Sequence, residues 1–156
     1  INKQMIHPTA IIYPNVTIEE NVYIGAYCII GAPAENINTW NEQGAGVLIK
    51  SGSIITGHVT IDSGVETQTI IDRAFIMKGV HIGHDSVIGQ DTTLAPHVIV
   101  GGYCVIGSNC KIGMGAIIRN RKKLPNNITL GMGAIVTRAC ELWEGGTFVG
   151  SPARHI

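Results

Sequence analysis

Residues 76–118 read IMKGVHIGHDSVIGQDTTLAPHVIVGGYCVIGSNCKIGMGAII, in which Ile76, Ile82, Ile88, Leu94, Val100, Ile106, Ile112 and Ile118 set a branched aliphatic residue at every sixth position. The beat extends back to Ile70 and forward through Leu124 and Leu130 to Val136. Two upstream blocks keep the same spacing, Ile6, Ile12, Ile18, Ile24 and Ile30, then Ile49, Ile55 and Ile61. A period of six is divisible by two and not by 3.6, so each repeat suits a short strand with its aliphatic side chain turned inward and cannot be one face of a helix.

Glycine often follows the aliphatic anchor, as at Gly25, Gly83, Gly89, Gly101 and Gly107, where the reading is a residue suited to a tight corner. Four residues after the anchor the side chain is small or compact, as at Val22, Cys28, Val80, Ser86, Val98, Cys104, Cys110 and Ala116, which predicts a second inward position. Short strands joined by repeated corners hide their aliphatic side chains by winding into a coil whose successive turns stack and pair their backbones. Hexapeptide periodicity is a mark of the parallel β-helix.

The beat slips twice. Nineteen residues separate Ile30 from Ile49, so a loop of about residues 34–47 must leave the coil, and nine separate Ile61 from Ile70, a smaller insertion near Glu66 to Thr69. Loops on a rigid scaffold are where binding groups concentrate. Trp40 in the long loop is a candidate to stack on a sugar or base.

Composition agrees with one domain spanning residues 1–156, with 45% hydrophobic and only 14% charged residues. Apolar stretches are too short for a membrane span, and the first eight residues lack the basic and apolar regions of a signal peptide, so the expectation is a cytoplasmic protein. The zero net charge gives no reason to expect a nucleic-acid surface. Cys28, Cys104, Cys110 and Cys140 fall on the small inward position with no CxxC pair, which predicts reduced core residues.

IHPTAII at 6–12, the hexapeptide blocks, HIGHD at 81–85, LAPHVIVGG at 94–102 and VGSPAR at 149–154 resemble the hexapeptide-repeat acyltransferases over essentially the full chain. The resemblance implies a left-handed β-helix with three flat sides, assembled as a homotrimer with active sites between subunits. The hand comes from the family, since parallel crossovers are otherwise right-handed. Two branches are similar. The stretch from IIGAPAENINTW to FIMKGVHIGHD looks like the UDP-N-acetylglucosamine O-acyltransferases of lipid A synthesis, and LAPHVIVGG with the closing VTRACELWEGGTFVGSPARHI looks like sugar acetyltransferases that use acetyl-CoA. Residues after Thr137 are too few for the helical domain of the first branch, so the expected reaction is acetyl transfer from acetyl-CoA to a hydroxyl or amine of a sugar or nucleotide sugar. Transfer from an acyl carrier protein thioester to a UDP-sugar is the alternative.

Acyl transfer needs a base for the acceptor proton, and an imidazole suits that near neutral pH. His84 matches the second histidine of the family's HxxHD segment, which implies the general base, with Asp85 as its orienting partner. His81, His97, His58, Trp40 and Asn36 are candidate substrate contacts. Backbone amides at Gly101 and Gly102 are candidate oxyanion donors. The family's pantetheine path implies that Ile117, Arg119, Arg121, Arg138 and Arg154 hold the coenzyme, and Lys122 and Lys123 complete the densest basic cluster. Counting repeats places His84 between Ser63 and Gly102 of the flanking coils, and puts His58, Gly79 and His97 in one column on another side.

Some hexapeptide proteins are γ-class carbonic anhydrases that bind a metal through three histidines. Their close pair has four intervening residues and His81 and His84 have two, so no metal is expected. A scaffold without chemistry is the other reading, and HIGHD argues against it.

Overall fold

The computed structural model describes residues 5–156. Its strands, two to four residues each, form three parallel sheets of nine, seven and six strands, and up to Ile135–Val136 every third strand along the chain belongs to the same sheet. The first sheet runs from Met5–Ile6 through Tyr23–Ala26, Ile54–Gly57 and Phe75–Ile76 to Thr147–Val149, with Arg154–His155 added antiparallel at its end. The coil is a left-handed, three-sided β-helix. No helix is present among the described residues, so none is long and apolar enough to cross a membrane.

A two-residue strand has no stability of its own, and each becomes stable by pairing above and below while its anchor enters a shared core. Ile24, Ile55, Ile76, Ile82, Ile88, Leu94 and Val100 are all fully buried, each contributing roughly 2 kcal/mol of burial. The compact residues four places later, among them Val59, Val80, Ser86, Thr92, Val98 and Cys104, are buried beside them. All four cysteines are free and buried, as the register requires.

The corners work differently from the sequence expectation. The left-handed backbone falls three residues after the anchor, at Tyr27, His58, Asp85, Asp91, His97, Tyr103, Asn109 and Arg121, with φ between 50° and 62°. The glycine directly after an anchor is there for closeness instead: a Cβ on Gly83 would stand 2.6 Å from the Gly102 nitrogen, and one on Gly101 2.5 Å from that of Asn120. Neighbouring coils touch backbone to backbone at these positions.

The second slip also differs in detail. Ile71, not Ile70, is the buried anchor and pairs with Ile88, while Ile70 pairs with Val87 on the outer surface. The insertion after Ile61 is therefore one residue longer, and the following corner at Asp72–Arg73 one residue shorter, than a uniform beat from Ile70 gives. Ile70 and Ile71 are both aliphatic, so the sequence alone does not decide between them.

The long loop leaves after the strand Ile29–Ala32 and returns at Val47–Ile49. Its returning end is tied to the second insertion: Gly46 N donates to Ser63 Oγ at 2.8 Å, Ser63 Oγ donates to the Gln43 carbonyl at 2.8 Å, and Gly46 bridges Gly64. The two irregular segments form one unit on the corner that holds His84.

Candidate active site

His84 and Asp85 make the corner after the strand His81–Ile82. His84 Nδ1 lies 2.8 Å from Asp85 Oδ2. The Asp85 carboxylate has no exposed side-chain surface and accepts four further bonds from the second insertion: Val65 N at 2.7 Å on Oδ2, and Glu66 N at 2.9 Å, Thr67 N at 2.7 Å and Thr67 Oγ1 at 3.3 Å on Oδ1. Burial alone raises the Asp85 carboxyl pKa, but the amides of Thr67 and Val65, then His84 and Glu66, outweigh it and hold the pKa below the ordinary carboxylate range. A carboxylate fixed this way accepts Nδ1–H and leaves Nε2 as the basic nitrogen.

Nε2 stands over the next coil where the sequence has glycine. A Cβ on Gly102 would meet it at 2.7 Å, so only glycine leaves that space open. Tyr103 packs its ring edge to His84 with centroids 4.9 Å apart at 84°, donates its hydroxyl to Glu66 Oε1 at 3.1 Å, and carries the Arg121 guanidinium 4.3 Å over its face. Sequence reasoning passed over Tyr103, since the residue at its corner position follows no fixed pattern along the repeats.

The expected oxyanion pair is halved. Gly101 N donates to the Ile118 carbonyl at 2.9 Å and is committed to the ladder between coils, whereas Gly102 N has no backbone acceptor among the described residues. Gly102 is the remaining donor candidate beside the imidazole.

On the adjoining face, His81 Nδ1 lies 2.8 Å from Thr60 Oγ1 and its Nε2 lies 3.7 Å from Asp62 Oδ2. With Glu35 and Pro33 these residues line a cavity of about 310 Å³. Burial pushes the Asp62 carboxyl up to about 6, with His81 opposing and Glu35 adding to the rise, and His84 acts on it as well. Pro33 and Glu35 also border a second cavity of about 390 Å³ lined by Asn36 and the exposed Trp40. Three of the expected substrate contacts, His81, Asn36 and Trp40, thus share one continuous surface. Asp62 was missed, although a signal was present: it follows an anchor directly, where the repeats on either side of the HIGHD corner have glycine, as at Gly83, Gly89 and Gly101.

His58 and His97 lie on a different corner. Tyr27 stacks on His58 with centroids 5.2 Å apart, and His97 leans over Gly79, as the repeat count requires. Within one chain they do not join His84. Arg119, Arg121 and Arg138 do share its corner, on the coils that follow, and all three are exposed. Ile117 faces outward from the second sheet, and Arg154 borders a cavity of about 230 Å³ near the chain end with Trp143 and His155. Lys122 Nζ donates to the carbonyls of Arg138 and Cys140, closing the core where a small residue would otherwise sit. Among the described residues, no three His, Cys, Asp or Glu side chains converge as a metal site would need.

A three-sided parallel coil of six-residue repeats, with a carboxylate-braced imidazole facing open space at one corner, defines a hexapeptide-repeat protein. The chain belongs to the bacterial transferase hexapeptide family, whose six-repeat pattern matches residues 5–34, 69–102 and 85–126. It is 34% identical over 98 residues to the acyl-[acyl-carrier-protein]–UDP-N-acetylglucosamine O-acyltransferase of Campylobacter concisus, covering 60% of this chain and 37% of that protein. This chain therefore spans little more than a third of that relative's length. Among solved structures it superposes on LpxA, a UDP-N-acetylglucosamine acyltransferase from Bacteroides fragilis, with a TM-score of 0.92 at 20% identity, covering 99% of this chain and 60% of that one. It superposes on PerB from Caulobacter crescentus, solved with CoA and GDP-perosamine, with a TM-score of 0.63 at 21% identity, covering 99% and 57%. At these identities the superpositions establish the fold.

Proposed function

We propose that the protein is an acyltransferase that moves an acetyl group from acetyl-CoA to a hydroxyl or amine of a sugar or nucleotide sugar, with His84 as general base. The observation that carries this reading is the bond from His84 Nδ1 to the buried Asp85 carboxylate, which turns a basic Nε2 to the space over Gly102. The acceptor gives its proton to Nε2 as its oxygen or nitrogen attacks the thioester carbonyl. Gly102 N–H meets the oxyanion, the carbon–sulfur bond breaks, and the imidazolium returns the proton to the leaving thiolate. A positioned base of this kind supplies roughly 10²–10⁴ in rate.

The coenzyme would run along the corner above His84, where Arg119, Arg121 and Arg138 offer phosphate partners. Donation from an acyl carrier protein is the second reading, favoured by the name of the Campylobacter relative and by the same basic column, which suits an acidic protein surface. We place the reaction in the cytoplasm, where both donors are made, in one compact domain.

The working assembly in this reading is a homotrimer. Met5, Tyr23, Ile54 and Phe75 form an in-register exposed apolar ladder on the first sheet, and Ile99 and Ile117 another on the second, surfaces that a second copy would cover. Sedimentation equilibrium should return three times the chain mass. The test of function is release of free CoA from acetyl-CoA with a panel of nucleotide sugars: His84→Ala should lose roughly a hundredfold or more in kcat while keeping the same assembly. Undiminished transfer by that variant would end the assignment.

A further inference from the structure

The 310 Å³ cavity beside the catalytic corner has an unusual lining. Asp62 is 8% exposed, its carboxylate makes no hydrogen bond among the described residues, and the nearest cationic partner there is the His81 ring nitrogen at 3.7 Å. Glu35 faces the same space from the long loop, and Thr60 is occupied with His81 Nδ1. Among the described residues, no lysine or arginine lines the cavity. A carboxylate largely withdrawn from water without donors, its side chain 11% exposed, is costly, and an incoming cation offsets that cost more fully than a neutral hydroxyl does. The same two carboxylates repel phosphate, so a nucleotide-linked acceptor cannot place its diphosphate here and must present its far end.

We propose that the group received between Asp62 and Glu35 is the ammonium of an amino sugar, and that the protein therefore acetylates nitrogen. This rests on the acyl-transfer reading above and narrows its acceptor. The ammonium docks against the carboxylates and gives one proton to Asp62 or solvent. The neutral amine then attacks the thioester carbon, its second proton passes to His84 Nε2, the carbon–sulfur bond breaks, and the thiolate takes that proton. The products are an amide, free CoA and one released proton.

The experiment uses the full chain, acetyl-CoA and pairs of uridine, guanosine and thymidine diphosphate hexoses that differ only in amine or hydroxyl at one ring carbon, with CoA release and product mass as readouts. The amine member of a pair should be acetylated and its hydroxyl counterpart left unchanged. Asp62→Asn and the exposed-loop variant Glu35→Gln should each lower kcat/KM for the amine roughly thirtyfold or more, mainly through KM. Transfer to the hydroxyl member at equal or higher rate overturns this inference and leaves the acetyltransferase reading standing, as does an amine preference unchanged in the Asp62→Asn, Glu35→Gln double variant. Transfer to neither member of any pair overturns the acetyltransferase reading and this inference with it.

Discussion

His84 Nδ1 and Asp85 Oδ2 are 2.8 Å apart although the two residues are adjacent in sequence, because Asp85 adopts the left-handed conformation at φ 58° and its carboxylate folds back into the amides of Val65, Glu66 and Thr67. The corner thus orients its own imidazole.

Asp85→Asn should cut kcat by roughly two to four orders of magnitude with little change in KM for the donor, because an amide in this cradle presents the wrong hydrogen-bond character to Nδ1 and favours the unproductive tautomer. Steady-state kinetics separates that outcome from misfolding, which circular dichroism and sedimentation would reveal. An unchanged kcat would remove Asp85 from the mechanism.

Gly102→Ala should leave the fold intact and lower activity by about a hundredfold, since the new methyl would lie 2.7 Å from Nε2 and His84 is held by Asp85 from yielding freely. Kinetics alongside a thermal melt checks both halves of that statement.

Gly79→Ala should destabilise the protein by about 1–3 kcal/mol, through the φ of 75° and a Cβ placed 2.4 Å from His97 Nδ1. In a double-mutant cycle by urea denaturation, His97→Ala should restore the steric part and leave the backbone part. No coupling between the sites would refute the stacked column.

Stability should also respond to pH through Asp62. Its carboxyl is raised to about 6 in the folded chain, from an ordinary 3.8, so the folded state holds the proton more tightly than the unfolded one. That contribution is fully present below 3.8 and is lost as pH rises through about 6. Asp62→Asn removes the dependence, so the variant should be the more stable of the two at pH 8, by at most about 3 kcal/mol, with the gap closing in acid. Asp85 runs the other way: its depressed carboxyl stabilises above the ordinary range and loses that contribution as pH falls through its folded value. Denaturation midpoints across pH 4–8 for the parent, Asp62→Asn and Asp85→Asn resolve the two.

The His84–Asp85 pair was legible because it sits in one short motif, HIGHD, and its neighbours along the coil followed from counting: Gly102 does stack on His84, and Gly79 does lie under His97. Asp62 and Tyr103 were not, because their roles come from which coils and loops happen to meet. Asp62 faces Glu35 across a loop whose path the hexapeptide beat does not encode, and Tyr103 reaches Glu66 across 37 positions.

By itself the sequence determined the winding, the core and the position of the imidazole, since a strict period of six permits strands and forbids helix, and the anchors so placed from Ile76 to Val136 are buried. Only the tertiary structure decided that Ile71 rather than Ile70 enters the core, that the Gly101 amide is spent on the ladder while the Gly102 amide is not, and that the two insertions clasp each other to build the Asp85 cradle. Periodicity is a local property that repeats, whereas those three outcomes depend on backbone hydrogen bonds between coils, which form only once the turns are stacked.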